Sequence, residues 1–273
     1  MTLRIVPTSK TSVPLELESI TPDSLRELDL AAIEQIEIFE GNNKARLCDF
    51  FQVSGDPSDG ELVFEGDLSG VHWIGTKMSS GRITIEGNVG RHLGSEMSGG
   101  QIDVKGDASD WVGAEMRGGT IHVRGRAGHL VGAAYRGSAA GMRGGTILID
   151  GDAGNEVGHT MRRGMIAIGG SIGDLAAFNM LAGTVLVGAG QGIRHGAGMH
   201  RGTLVFLSED APELLPTFTH AGRQQPLVMT MLNRELSKLG YPHADLLLNE
   251  FDLYHGDQIE GGRGEILVRT SSS

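Results

Sequence analysis

The chain has 273 residues, a formal net charge of −11 and 43 glycines. Glycine makes up about 16% of the chain, against a usual share of roughly 7%, but it does not recur at every third position, which excludes a collagen triple helix. A hydrophobic fraction of 39% is enough to form a core, which excludes general disorder. The acidic balance argues against general nucleic-acid binding, because that affinity depends on neutralising phosphates.

Cys48 is the only cysteine, so the sequence contains neither a disulfide framework nor a cysteine metal cluster. No apolar run has the length of a membrane span, and the acidic N-terminal segment does not have the pattern of a signal peptide. These features predict a protein of the reducing cytoplasm.

Residues 1–60 are predicted to form an N-terminal cap. Thr21 and Pro22 offer an N-cap and a first helical residue, which predicts a short helix ending near Leu28. Four segments have the pattern of strands: residues 3–6, 13–17, 36–39 and 47–53. Because Cys48 lies in the last of these apolar segments, we expect a buried structural thiol there and not a nucleophile.

A repeat with a period of 19 residues occupies the centre of the chain. Its first column consists of methionines, separated by steps of 19 residues with a single step of 26: Met78, Met97, Met116, Met142, Met161, Met180 and Met199. A glycine follows each methionine after three residues: Gly81, Gly100, Gly119, Gly145, Gly164, Gly183 and Gly202. An apolar-x-apolar triplet begins two residues further on, as in Ile83-Thr84-Ile85 and Val185-Leu186-Val187. Two further glycine columns share the same period, and one of them has Ala177 in place of glycine.

Each repeat is too short to fold alone, and its apolar triplet is too short to form a helix. The pattern predicts a solenoid over residues 61–208, a right-handed parallel β-helix of about seven or eight coils whose ends are capped by α/β segments. Alternation along each triplet is expected to place the branched residues inside and Thr84, Asp103 or His122 outside. The methionine column is expected to fill the interior.

An insertion at about residues 136–142 accounts for the longer step, and we expect it to protrude as a loop. Whether it marks a contact face or is an idle surface loop stays open at this point.

Beyond the repeats, residues 209–273 form a C-terminal tail with a predicted helix at 227–239, a stop at Gly240 and a final strand at 265–269. This tail is expected to pack over the solenoid or to reach a partner. The apolar segment 246–253 would make an isolated chain poorly soluble if it were exposed.

No catalytic constellation is evident in the sequence. Only His72 and His129 share a coil register, His195 and His200 have no third ligand at a suitable spacing, and zinc needs three or four convergent ligands. The Gly188-x-Gly190-x-Gly192 segment lacks the helix that a dinucleotide site requires. We therefore predict that this chain binds no metal or cofactor of its own.

One charged surface feature is a column of arginines beside the methionine column. Arg117, Arg143 and Arg162 follow their methionines directly, and Arg163 and Arg201 come one residue later. Stacked like charges repel unless an anion neutralises them. The neutralising groups are either internal, with Glu96 and Glu115 in position to act, or an acidic partner or polyanionic ligand.

The repeat x-Val/Leu-Gly-x-x-Met-x-x-Gly-x-Ile-x-Val-x-Gly-Asp resembles the Gly-x-Gly-x-Gly β-helix domain of the glutamate synthase large subunit and of the formylmethanofuran dehydrogenase C subunit. The segment Leu47-Cys48-Asp49-Phe50-Phe51 and the doubled turn around Tyr135-Arg136-Gly137 and Met142-Arg143-Gly144 are more similar to the dehydrogenase C subunit. Cys48 stands where that family would have glycine. The resemblance covers about residues 36–207.

The resemblance implies one of two settings for the chain. One is the bacterial formyltransferase/hydrolase complex, which takes part in formaldehyde oxidation in methylotrophs. It moves a formyl group from a tetrahydromethanopterin carrier to a methanofuran analogue and hydrolyses it to formate. The other is a tungsten or molybdenum formylmethanofuran dehydrogenase of archaea. An excess of arginine over lysine favours the bacterial setting.

In either setting the resemblance assigns the chemistry to partner subunits. In the bacterial complex these are a zinc-dependent hydrolase, a formyltransferase and at least one further subunit. The expected role is then that of a scaffold without catalytic residues of its own, and the arginine column is a candidate track for a polyglutamate arm. A glutamate-synthase-like coupling domain is the competing interpretation, and a hexapeptide-type acyltransferase does not fit the 19-residue period.

Overall fold

The computed structural model describes residues 2–9, 11–190, 192–208, 210 and 212–270. The predicted domain limits at residues 1, 209 and 273 lie outside these residues. The described chain is mostly β-structure. Its strands in the N-terminal part are β1 (Leu3–Pro7), β2 (Leu15–Glu16), β3 (Glu37–Glu40), β4 (Asn43–Arg46), β5 (Phe51–Ser54), β6 (Glu61–Phe64) and β7 (Val71–His72).

The remaining strands are β8 (Arg82–Ile85), β9 (Gln101–Val104), β10 (Thr120–Val123), β11 (Arg143–Ile149), β12 (Arg163–Ser171), β13 (Thr184–Ala189), β14 (Gly202–Phe206), β15 (Thr219–Gln224), β16 (Phe251–Gly256) and β17 (Gly264–Arg269). The α-helices are α1 (Pro22–Leu25), α2 (Leu30–Glu34), α3 (Leu47–Phe50) and α4 (Leu227–Lys238). Short 3-10 helices occupy Pro57–Asp59, Ala244–Leu248 and Gln258–Glu260.

Most of these strands belong to one large mixed sheet of 13 strands, in the order β15-β16-β17-β14-β13-β12-β11-β10-β9-β8-β6-β1-β5. The run from β6 through β8 to β14 is parallel, and each strand pairs with the strand one repeat later. A second sheet of 4 strands has the order β4-β3-β2-β7.

The strand register follows the sequence repeat. Ile83 pairs with Ile102, Ile102 with Ile121, and Ile121 with Ile147 across the insertion. The pairing continues through Ile166 and Val185 to Leu204. The predicted alignment of the triplets is therefore confirmed.

Successive repeats are also joined at their turns. The Gly94 N–H donates to the Ile74 carbonyl at 2.9 Å, and the Gly113 N–H donates to the Leu93 carbonyl at 2.8 Å. A further ladder of isolated parallel bridges links Leu68, Val89, Ala108 and Ala127. Each repeat is thus hydrogen-bonded to the next on more than one side, which satisfies its backbone without long strands.

The interior is filled as the repeat predicts. All seven column methionines have no exposed surface, and the outer members of the triplets, such as Ile83 and Ile85, are equally buried. In the glycine column that contains Ala177, Gly75 has φ +70° and Ala177 keeps the same left-handed conformation at φ +58°. The single alanine in this glycine column is therefore accommodated in an unfavourable backbone conformation and not by a change of fold.

The outer face of the large sheet differs from the prediction. Asp103 and His122 were expected to face solvent, but only 8% and 4% of their surfaces are exposed. Further along the sheet the same position is apolar, and it forms a second core with the C-terminal segment. This second core contains Leu148, Ala167, Leu186, Val205, Leu207, Met229, Leu236, Tyr241, Ala244, Leu247, Phe251, Leu253 and Leu267.

The C-terminal segment therefore packs on the sheet, one of the two outcomes expected for it. Helix α4 lies where the sequence predicts a helix, and β17 is the predicted final strand. β17 returns to pair in parallel with β14, so the parallel run continues past the last repeat. Segment 246–253 is mostly covered in this arrangement, since Leu247 and Phe251 are fully buried against the sheet, whereas Leu248 stays exposed.

The N-terminal region also departs from the sequence expectation at one segment. Residues 47–53 are not a single strand but the helical turn α3 followed by β5. Cys48 lies on this turn and is exposed, so the predicted buried thiol is wrong. The Asp49 carboxylate accepts the Arg46 N–H at 2.8 Å, which favours a helical turn at this point. The predicted helix after Thr21 is present, although α1 ends at Leu25.

Candidate functional site

The arginine column is formed by backbone stacking of successive turns. The Arg117 N–H donates to the Met97 carbonyl at 2.7 Å, and the Arg162 N–H donates to the Met142 carbonyl at 2.9 Å. Arg143 occupies the same position in the intervening repeat. All three are exposed, so neighbouring repeats present their guanidinium groups along one edge of the molecule.

Only part of this positive charge is neutralised internally. Arg117 Nη2 lies 3.3 Å from Glu96 Oε2, one of the two internal pairings considered from the sequence. Glu115 instead accepts the backbone N–H of Tyr135 at 3.2 Å. Within the described part of the chain, no ion pair involves the other members of the group, which are Arg143, Arg162, Arg163 and Arg201.

The histidines that share a register serve the backbone. His72 Nδ1 accepts the Arg91 N–H at 2.9 Å, and His129 Nδ1 accepts the Asn155 N–H at 2.9 Å. His195 is buried and accepts the Ala176 N–H at 3.3 Å, whereas His200 lies 3.3 Å from the Glu260 carboxylate. Among residues 2–9, 11–190, 192–208, 210 and 212–270, no three His, Cys, Asp or Glu side chains are grouped so as to hold a metal ion.

A charged network lies on the outer face of the large sheet, beside the second core. Asp103 accepts from Lys105 at 3.0 Å and from Arg124 at 3.2 Å. His122 Nε2 lies 2.7 Å from an Asp150 carboxylate oxygen. Burial by itself would raise the pKa of Asp103, but the hydrogen bonds from Arg124 and Lys105 hold it below its usual value. These partners explain why polar side chains are tolerated at buried positions of the sheet.

An aromatic cluster lies at one corner of the repeats. The Trp73 and His92 rings stack with centroids 3.9 Å apart and an interplanar angle of 7°. Trp111 follows His92 at 6.1 Å, and Tyr135, directly before the insertion, stacks on Trp111 at 4.9 Å. We call Trp73, His92, Trp111 and Tyr135 the aromatic column.

The insertion is anchored to this column by hydrogen bonds. The Tyr135 hydroxyl lies 2.7 Å from Ser95 Oγ and 3.0 Å from His92 Nδ1. Burial raises the pKa of Tyr135 to about 12, and burial together with the charges of His72 and Arg91 lowers the pKa of His92 to about 4. With His92 neutral, the phenol can donate to Nδ1 while it accepts from Ser95. The predicted protruding loop therefore folds back on the repeats instead, and only its tip, including Arg136, is exposed.

Sequence reasoning missed the aromatic column, although a signal was present. Trp73, His92 and Trp111 are separated by the same 19 residues as the methionines. All three residues have a positive φ, between 64° and 69°. The repeated position could have been read as one ring per coil, whereas the contact with Tyr135 depends on the path of the insertion.

Comparison with known proteins gives matches over the repeat region and over the whole chain. The family described as the GXGXG motif matches residues 68–255. The C subunit of the molybdenum-containing formylmethanofuran dehydrogenase 1 of Methanothermobacter thermautotrophicus is 41% identical over 90 residues, 33% of this chain and 22% of that protein. The C subunit of the tungsten-containing formylmethanofuran dehydrogenase 2 of Methanothermobacter wolfeii is 36% identical over 93 residues, 33% of this chain and 34% of that protein. These matches span about a fifth to a third of the relatives.

A solved structure matches over nearly the full length. A chain of the formyltransferase/hydrolase complex FhcABCD from Methylorubrum extorquens, crystallised in complex with methylofuran, has a TM-score of 0.92 and 34% sequence identity. The match covers 98% of this chain and 100% of that chain. No helix in the described ranges has the length and apolar character needed to cross a membrane. The chain belongs to the GXGXG family and is a homologue of the formylmethanofuran dehydrogenase C subunit.

Proposed function

We propose that this protein is a non-catalytic scaffold subunit of a cytoplasmic formyltransferase/hydrolase complex. The complex would transfer a formyl group from a tetrahydromethanopterin carrier to a methanofuran analogue and hydrolyse it to formate, as part of formaldehyde oxidation in a methylotroph. Its partners would be a hydrolase subunit that holds zinc, a formyltransferase subunit and at least one further subunit.

The observation that carries this proposal is the full-length agreement with one chain of the FhcABCD complex. Agreement at 34% identity over 98% of the chain includes the N-terminal and C-terminal segments as well as the repeats. Terminal segments that pack in the same way favour the same set of neighbours, because they form part of the surface that a partner would meet.

The proposed architecture suits a scaffold. We interpret the parallel ladders as a right-handed parallel β-helix of seven or eight coils over residues 61–208, capped by residues 1–60 and by the tail from 209. Its cross-section is held by coil-to-coil hydrogen bonds and buried methionines, which makes a rigid body. Broad, regular outer faces of such a body can position two partner enzymes at a fixed separation.

The alternative is the C subunit of a tungsten or molybdenum formylmethanofuran dehydrogenase. It is favoured by the identities of 36–41% with those subunits, although each match covers only 33% of this chain. A glutamate-synthase-like coupling domain remains the more distant alternative, because the repeat resembles the β-helix domain of that enzyme and the GXGXG family model matches residues 68–255.

Affinity purification of the tagged chain from its own cells tests the proposal. We expect hydrolase and formyltransferase subunits to co-purify and the eluate to release formate from a formylated tetrahydromethanopterin donor. Molybdopterin-containing and iron–sulfur partners would support the dehydrogenase alternative instead. Recovery of the chain alone, at native expression and low salt, would contradict both.

We further propose that the arginine column, Arg117, Arg143 and Arg162 with Arg163 and Arg201, contacts an acidic partner or the polyglutamate arm of a methanofuran analogue. Four of the arginines have no ion pair among the described residues, so they add positive charge along this edge of an otherwise acidic protein. Guanidinium groups in a row suit a chain of carboxylates, because each can make a bidentate contact.

Alanine at Arg117, Arg143 and Arg162 together is expected to reduce formate output of the purified complex by about tenfold, because up to three charged contacts are lost. The reduction should shrink as ionic strength rises, since salt already screens these contacts in the parent protein. The control carries the same charge change at exposed arginines elsewhere, Arg126, Arg234 and Arg263. If assembly and formate output of the triple variant match this control, the arginine column has no such role.

A further inference from the structure

A small cavity begins where the aromatic column ends. Trp73, His92 and Trp111 occupy the same position in successive repeats. In the next two repeats this position is occupied by Leu130 and then by Glu156. A cavity of about 210 Å³ lies beside this transition and is lined by residues that include Trp111, Leu130 and Tyr135. The insertion forms its other side. Because Leu130 takes the place of a further ring in the next repeat, Trp111 and Tyr135 are the last rings of the column, and an aromatic ligand in the cavity would contact both.

The polar side chains that line the cavity include one that is positively charged and one that is negatively charged. Arg136 lines it, is exposed and has no ion pair within the described chain. Glu156 also lines it, and one of its carboxylate oxygens lies 2.8 Å from Nδ1 of His159. Ser138 and Thr160 add hydroxyl groups. A ligand that bears one positive and one negative group would therefore match the cavity better than an ion of either sign.

Two further acidic groups lie near Tyr135, one of the residues that line the cavity. Glu115 accepts the Tyr135 N–H, and Glu96, although paired with Arg117, lies close enough to influence the Tyr135 phenol. Indole and phenol rings attract an ammonium group through their electron-rich faces. The negative charge near this side disfavours a carboxylate there, so the carboxylate of a zwitterion would pair with Arg136, while its ammonium group is favoured throughout the rest of the cavity, including beside Glu156.

We propose that this cavity binds an aromatic α-amino acid. Its ring packs against Trp111, Leu130 and Tyr135, its carboxylate pairs with Arg136, and its ammonium group meets the carboxylate oxygen of Glu156 that is not paired with His159. The cavity is smaller than the roughly 300–1,000 Å³ of pockets for drug-sized ligands, which limits the occupant to a single ring system. This site does not depend on the proposed role in formyl transfer.

Intrinsic fluorescence provides a direct measurement, since the only 2 tryptophans of the chain, Trp73 and Trp111, both belong to the aromatic column. We would titrate the full chain with L-phenylalanine, which does not absorb at the tryptophan excitation wavelength. A saturable change with a dissociation constant of roughly 0.1–1 mM is expected for a ligand of this size. The absence of saturable binding up to about 10 mM would overturn the proposal.

Two derivatives and two variants test the assignment of the charges. Phenylalaninamide lacks the carboxylate and N-acetylphenylalanine lacks the ammonium group, so each should bind at least about tenfold more weakly than phenylalanine. Arg136→Gln should abolish the preference over the amide, and Glu156→Gln should abolish the preference over the acetyl derivative. Arg234→Gln on α4, away from the cavity, is the control and should change neither. Equal binding of all three ligands by the parent chain would contradict the charge assignment. Thermal melts of the variants establish that any change in their ligand preference is not caused by unfolding.

Discussion

Gly87→Ala is expected to lower the thermal unfolding midpoint by roughly 4–12 °C, which corresponds to a loss of about 2–4 kcal/mol. Gly87 belongs to the glycine column that follows the triplets, and it does not need a positive φ. A Cβ at this position would instead collide with the carbonyl oxygen of Gly66 in the preceding repeat. Because the obstacle is backbone and not a flexible side chain, the two repeats must move apart, and the adjoining coil-to-coil hydrogen bonds lengthen.

Gly70→Ala is the matched control for this variant. Gly70 also has an ordinary φ, and no atom lies within 4 Å of the position that its Cβ would occupy. Its substitution should leave the midpoint unchanged or raise it slightly, because alanine restricts the unfolded chain. Differential scanning calorimetry of both variants separates the two cases. Equal midpoints would mean that the glycine columns are not required for the close approach of the repeats.

The repeats could be predicted from the sequence because a period fixes many contacts at once. Once Met78 and Met97 are aligned, the pairing of Ile83 with Ile102 follows without knowledge of any other part of the fold. The same holds for the burial of the methionine column. Each repeat meets its neighbours in the same way, so local sequence determines the packing.

Features that depend on distant segments could not be predicted in this way. Asp103 and His122 read as solvent-facing because alternation along a strand gives the face and not what covers it. Their burial depends on partners such as Arg124 and Asp150 in other repeats. A signal for the second core was nevertheless present, since the middle residue of the triplet changes from polar in the early repeats to Leu148 and its successors.

The same distinction, between features that share the repeat period and features that depend on other segments, applies to the candidate sites. The arginine column was predicted because it shares the period of the repeat, whereas the cavity beside Trp111 arises where the insertion breaks that period. Cys48 was misplaced for a related reason. An apolar run is consistent with either a strand or a helical turn, and the capping interaction of Asp49 decides between them.

The second core makes a further strong prediction at helix α4. Leu236 is fully buried between this helix and the outer face of the sheet. Leu236→Asp removes a large apolar contact and would bury a carboxylate without a partner, at a combined cost of more than about 4 kcal/mol. The helix should therefore detach from the sheet while the repeats stay folded. Hydrogen–deuterium exchange should show protection of residues 227–239 falling at least about a hundredfold.

Met231→Asp is the control, because it places the same charge in the same helix at a position that is 66% exposed. It should leave the exchange of α4 nearly unchanged. Detachment in the Leu236 variant would also uncover Leu148, Leu186 and Val205, so that variant alone should bind a hydrophobic dye and aggregate on concentration. Equal protection of α4 in the two variants would show that the helix is not held through Leu236. The tail would then have to be stabilised mainly by the pairing of β17 with β14, and the outer face of the sheet would need another cover.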